Sequence, residues 1–204
     1  MATARTSTPA TAGHMKPKDL ITVGIFTAIY MVVMFAVAML GFIPIFIPLI
    51  AILVPLACGI PFMLFLTKVH CFGMVLIMAV ILGLFFTLSG MGSYMLPIAI
   101  VVGLIAELLL RAGRYQSAKM SVLAYGFFSI TVFGNLLPIF VSRDAYYDQL
   151  VNGPYGLEYA NTLMSFMPEW LAPVLLVCCF VFGLLGGLLG RKVLKKHFQR
   201  AGIA

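Results

Sequence analysis

Along this chain, long apolar runs alternate with short polar breaks, and the runs approach the length that crosses a bilayer, about 20 residues each. Hydropathy predicts six spans, at 20–40, 49–66, 72–88, 94–110, 120–141 and 171–190. The second could begin as early as residue 43. All are expected to be helices, because hydrocarbon cannot satisfy exposed backbone groups. The breaks are unequal. Those at 41–48 and 89–93 carry no charge, whereas 142–170 is by far the longest. That long connection holds four of the six acidic residues, four of the eight tyrosines and the only tryptophan. Within it Tyr155, Tyr159, Leu163 and Phe166 recur at helical spacing, which predicts a short interfacial helix over 155–166. A solvated loop with its aromatics in the membrane-interface belt is the plainer reading.

Composition agrees on class. Of 204 residues, 63% are hydrophobic and 9% charged, and mean hydropathy is +1.12. Soluble domains run near half apolar and a quarter charged. The fold class is therefore an all-α integral membrane protein, and six spans leave no room for a sizeable soluble domain. An ATPase or kinase module would have to come from another chain. Residues 1–14 are polar and rich in Ala and Thr, without the apolar stretch of a signal peptide. "GHM" at 13–15 looks like a cloning junction, so the native chain is expected to start at Met15, with the membrane domain over 15–198 and a tail at 199–204.

Charge adds orientation. Lys16, Lys18, Lys68, Arg111, Arg114, Lys119, Arg191, Lys192, Lys195, Lys196 and Arg200 all fall on one side if six spans alternate. The other side has Arg143 alone. The positive-inside rule then makes both termini cytoplasmic and places 142–170 outside. The net charge of +7 is thus a topology signal and not a sign of nucleic acid. Its further use would be contact with anionic lipid headgroups.

Few residues inside the spans carry chemistry. Glu107 is the one ionisable group, four residues before Arg111, so it reads either as a helical ion pair or partner contact, or as a substrate- or proton-handling group. Asn135 lies in "FGNLLP", where a buried amide demands a partner from another helix or from a ligand. Gly24 and Ala28 in span one, and Gly183/Gly187 with Gly186/Gly190 in span six, allow backbones to approach closely. The span-six set reads as internal packing. The span-one set serves an intermolecular contact equally well. "GFIPIFIP" cannot be regular helix throughout and reads as a loop entering a kinked span, whether flap or kink. Cys58, Cys71, Cys178 and Cys179 form no C-x-x-C pair and read as reduced packing residues. His14, His70 and His197 all lie outside the spans, so no metal triad is expected within them. Neither H-E-x-x-H, G-x-S-x-G nor a P-loop occurs, which argues against an enzyme.

Six spans with cytoplasmic termini resemble the S components of energy-coupling factor (ECF) transporters. "KDLITVGIFTAIYMVVMFAVAMLGFIP", "SRDAYYDQLVNGPYGLEYANTLMSFMPEWLAPVL" and "GGLLGRKVLKKHF" resemble the Trep_Strep family of predicted S components, from about Met15 to Phe198. The resemblance implies an S-component-like bundle that captures a vitamin-like micronutrient outside. It also implies partners: a membrane T component and two cytoplasmic ATPases, which use the ATP, with no cofactor in this chain. In the family, an alanine-x-x-x-alanine motif of span one meets the T component. The matching positions here are Gly24 and Ala28, the first being glycine instead.

On this reading the 142–170 loop, with "GFIPIFIP" opposite, closes over a ligand resting on spans five and six. Asn135 supplies a hydrogen bond from the wall, and Arg143 or Asp144 engages the ligand's polar group. Tyr146, Tyr147 and Tyr159 cover its ring or apolar body. The competing class is a stand-alone facilitator or small channel. It needs a continuous polar path, and beyond Asn135, Ser129, Thr131 and Glu107 the spans offer little.

Overall fold

A computed structural model describes residues 15–90 and 94–200, with side chains through 196. The leader expected at 1–14, residues 91–93 of the 89–93 turn and the end of the tail at 201–204 lie outside the described residues. Among those described the fold is all helix: α1 (Pro17–Ala38), α2 (Ile47–Leu66), α3 (Met74–Leu88), α4 (Met95–Ala112), α5 (Ala118–Phe128), α6 (Thr131–Leu136), α7 (Pro138–Val141), α8 (Arg143–Asn152), α9 (Gly156–Phe166) and α10 (Leu171–Arg200). Two 3-10 turns, Met39–Phe42 and Pro44–Phe46, join α1 to α2. Each proline-led segment starts where the missing N–H costs nothing.

Among the described residues, four stretches are long and apolar enough to cross a membrane: Pro17–Phe42, Pro44–Leu66, Met95–Ala112 and Leu171–Lys196. Two of the six expected spans differ from this form. The third is only the 15-residue α3, about 22 Å at 1.5 Å per residue. The fifth is interrupted. Ser129 turns its hydroxyl back to Gly126 O and across to Cys179 O, each at 2.7 Å, and Thr131 bonds Phe128 O at 2.8 Å. Such back-bonding bends a helix. Pro138 then removes a further backbone donor, so the run divides into α5, α6 and α7.

Helices α2, α5 and α10 form the centre, α3 and α4 pair beside them, and α1 leans on α2 and α3. Glycine makes the central contact possible. A side chain on Gly59 would fall on the Gly186 backbone, and one on Gly186 on the Pro55 carbonyl, while Gly190 rests on Gly59. The span-six glycines therefore pack within the bundle. Across its middle, Tyr30, Phe62, Phe128 and Tyr125 are buried together, with ring centroids 4.6–6.5 Å apart in the contacting pairs. Tyr125 donates its hydroxyl to Pro55 O at 2.6 Å.

Gly24 and Ala28 face outward on α1, in line with exposed Ile21, Ile25 and Val32. Nothing lies within 4 Å of a Cβ added at Gly24.

Glu107 has a different partner from the one its spacing suggests. Its Oε2 accepts from Val75 N at 2.9 Å and Leu76 N at 3.2 Å, the free amides of the first turn of α3. Its Oε1 accepts from the Tyr115 hydroxyl at 3.1 Å. Arg111 lies over the Phe72 ring instead, 5.6 Å from its centroid. The carboxylate thus caps a neighbouring helix, where backbone donors and the helix dipole favour negative charge. Arg114 and Tyr115 hold positive φ (51° and 56°) in the α4–α5 turn. That costly backbone is the one that returns Tyr115 to Glu107.

Candidate functional site

The long polar connection is a folded layer. Its second half is helical as expected: α9 covers 156–166, and Leu163, Ala160 and the following Met167 are buried beneath it. Its first half, α8, has no sequence stripe to announce it and buries Leu150 alone. Gly156, at φ +80°, makes the turn between the two helices.

Three contacts fix this layer. Arg143 donates from Nη1 to Met167 O at 2.6 Å and from Nη2 to Met164 O at 2.8 Å. It therefore caps the C-terminus of α9, where unpaired carbonyls and the helix dipole attract a cation. Tyr147 crosses from α8 to α9, its hydroxyl donating to Asn161 Oδ1 at 2.8 Å. Tyr159 donates to Gly41 O at 2.5 Å, tying α9 to the 3-10 turn after α1. Thus the long connection and "GFIPIFIP" do meet, α9 resting on Pro44–Phe46. Burial, with Tyr146 and Tyr155 nearby, pushes the Tyr159 hydroxyl up to about 12. Burial likewise pushes Tyr146 up. Both stay neutral donors near neutral pH.

Under α8 is a cavity of about 260 Å³, lined by Thr87, Gly90, Tyr94, Pro138, Ser142, Ala145, Tyr146 and Gln149. Tyr94 Oη and Ser142 Oγ lie 2.9 Å apart across its wall, and Gln149 Nε2 donates to Gly90 O at 3.4 Å. A second, more open hollow of about 280 Å³ lies between Pro44 and the Tyr155, Glu158, Tyr159 and Thr162 face of α9. Tyr155 and Tyr159 pack against each other there, tilted by 34° with ring centroids 4.7 Å apart. Both spaces are near the lower end of small-molecule sites.

The six expected ligand residues therefore divide. Tyr146 lines the first cavity and Tyr159 the second. Tyr147 and Arg143 hold the layer together, and Asp144 is exposed. Asn135 is not part of either lining and lies three residues before Pro138, which lines the first cavity. Its Oδ1 is buried without a hydrogen-bond partner. Sequence reasoning missed Tyr94, Ser142 and Gln149. No stripe or motif marked them, because the run leading to Ser142 is broken at Leu137 and the other two lie on separate elements.

The charge of this end is one-sided. Asp144, Asp148, Glu158 and Glu169 are all exposed, and the Arg143 guanidinium is turned to α9. The cavity wall itself offers hydroxyls and an amide, groups that both donate and accept hydrogen bonds.

A family model described as "Hypothetical bacterial integral membrane protein (Trep_Strep)" matches residues 17–200. No curated protein and no solved structure matches the chain.

Proposed function

The chain belongs to the Trep_Strep family of hypothetical bacterial integral membrane proteins, and we propose that it serves as the substrate-binding S component of an ECF-type importer. In this reading it crosses the membrane six times, α3 and the broken α5–α7 run completing the count, with both termini cytoplasmic. It takes up a small, uncharged or cationic, partly aromatic nutrient from outside. A T component and two ATPases then complete inward delivery, and the ATP is theirs.

One observation carries the reading. Both cavities lie at the α8–α9 end, while the bundle's middle is filled by the buried Tyr30–Phe62–Phe128–Tyr125 cluster. A dead-end pocket under a lid suits capture, whereas a facilitator requires a continuous polar path. The outward Gly24–Ala28 face supplies a smooth surface on which a partner helix could seat. In this account Asn135 is the group that waits for the ligand.

Asn135→Leu separates binding from folding. It removes a buried acceptor with no partner, so the variant is expected to unfold at the same temperature as the parent or higher. Ligand affinity should fall by roughly 5- to 150-fold, the value of about 1–3 kcal/mol for one buried polar contact. Mass spectrometry of small molecules carried through purification provides the ligand, and calorimetric titration the affinities. Equal affinity in variant and parent would remove Asn135 and this pocket from the account.

A further inference from the structure

The opposite end of α1 from the lid holds a second constellation. Asp19, in the first turn of α1, faces His70 and Cys71 in the link between α2 and α3. Their donor atoms (a carboxylate oxygen, an imidazole nitrogen and a thiol sulfur) all lie within 4.8 Å of one another. Asp19 and Cys71 are buried, and His70 is exposed. His70 and Cys71 are neighbours in the chain, but Asp19 belongs to a different helix far earlier in the sequence, so only the fold brings the three together.

The imidazole orientation gives the cluster its meaning. His70 Nδ1 lies 2.9 Å from Lys68 O. A carbonyl only accepts, so Nδ1 carries the proton and a neutral ring leaves Nε2 as a bare lone pair. That lone pair faces Asp19 Oδ1 at 3.5 Å. The other carboxylate oxygen, Oδ2, accepts from Lys16 N at 2.8 Å, which fixes the carboxylate plane. With the ring neutral, two acceptors face each other, each steered from behind by a hydrogen bond; a protonated ring would instead form an ion pair there, which a metal ion replaces. Metal-binding histidines and carboxylates are supported in this way by their outer partners.

We propose that Asp19, His70 and Cys71 form a site for a divalent transition metal, with zinc the best match to the donor set. One oxygen, one nitrogen and one sulfur suit a borderline-soft cation in tetrahedral geometry, with a fourth position open to water or a partner's side chain. Bond lengths of about 2.0–2.3 Å put tetrahedral ligands roughly 3.5 Å apart, so the cluster closes by about 1 Å on binding. The Cys71 thiol gives its proton to solvent as the sulfur bonds the metal. The bound ion ties the start of α1 to the α2–α3 link. It thereby stiffens the helix that carries the outward Gly24–Ala28 face.

Cobalt(II) is the probe, because it replaces zinc and reports its ligands by absorption. The full-length protein in detergent, stripped with chelator, is titrated with cobalt chloride and then with zinc chloride. The expected result is saturable cobalt binding with a thiolate-to-metal charge-transfer band, displaced by zinc. His70→Ala is the main variant, since its exposed side chain is dispensable for packing. It should lower zinc affinity about 100-fold or more, at least the loss typical of an outer-shell partner. Cys71→Ser should abolish the charge-transfer band, whereas a band arising from Cys58, Cys178 or Cys179 would survive that change. Absence of the band in the parent, or unchanged zinc affinity in His70→Ala, would overturn the site.

Discussion

Glu107→Ala is expected to destabilise the folded protein by at least about 3 kcal/mol, read as a fall in the thermal unfolding midpoint followed by circular dichroism in detergent. The residue is fully buried, and its carboxylate receives Val75 N, Leu76 N and the Tyr115 hydroxyl. Removing it leaves two amides at the start of α3 without an acceptor. Each buried orphan costs about 1–3 kcal/mol, and bonds to a charged acceptor contribute more than neutral ones. Burial, reinforced by the Glu107 carboxylate, pushes the Tyr115 hydroxyl up, so this donor keeps its proton through the physiological range. Glu107→Gln retains an oxygen for the amides and gives up mainly the attraction to the helix dipole, about 0.3–1 kcal/mol. The two variants should therefore rank parent, then Gln, then Ala. An alanine variant that melts with the parent would contradict the capping role.

Gly186→Ala is the second change with a large effect. A methyl group there falls on the Pro55 carbonyl, and the reciprocal contact at Gly59 falls on Gly186 itself. The obstacles are backbone atoms, so no rotamer change relieves them. Overpacking a tight core costs about 1–3 kcal/mol, and more where the backbone must move. The Pro55 carbonyl struck by the methyl is also the acceptor of the Tyr125 hydroxyl, so that hydrogen bond would be disturbed as well. Low yield of monodisperse protein is expected, with a midpoint well below the parent's. Gly24→Ala is the control, because nothing lies within 4 Å of the added carbon, and it should match the parent. Equal behaviour of Gly186→Ala and Gly24→Ala would mean that α2 and α10 are not in close contact.

The contrast between these glycines shows what the sequence could reveal. Spacing of four marks both pairs as capable of close approach, and the span-six set was legible as internal packing because several glycines share one helix. Their partner, Gly59 between two helix-breaking prolines, was not legible, since it has no periodic companion. Glu107 was misleading for a related reason. The local partner four residues on is visible in sequence, whereas the amides it caps are 31 and 32 positions away. The break in the fifth run follows the same rule, because Ser129 bends its helix partly through a bond to Cys179 O, 50 residues distant.

At the lid, α9 was legible from its apolar stripe and α8 was not, since only Leu150 of α8 is buried. The aromatic and acidic composition of 142–170 draws attention to the end of the bundle where both hollows lie. Composition could not divide the residues between holding and lining. Arg143 serves α9, and the small groups Ser142 and Gln149, with no distinctive pattern, sit beside the cavity with Tyr146.

The proposed S-component role has a direct consequence for company. Affinity purification of the chain from native bacterial membranes in mild detergent, followed by protein mass spectrometry, measures it. The account predicts that the parent brings down an integral membrane T component and two ATPases. It also predicts that Gly24→Leu, whose added bulk projects outward from α1 and holds a partner helix away, folds normally and loses all three. A parent that purifies without any ATPase, yet still moves its small molecule across liposome membranes unaided, would contradict the account and make the chain a facilitator.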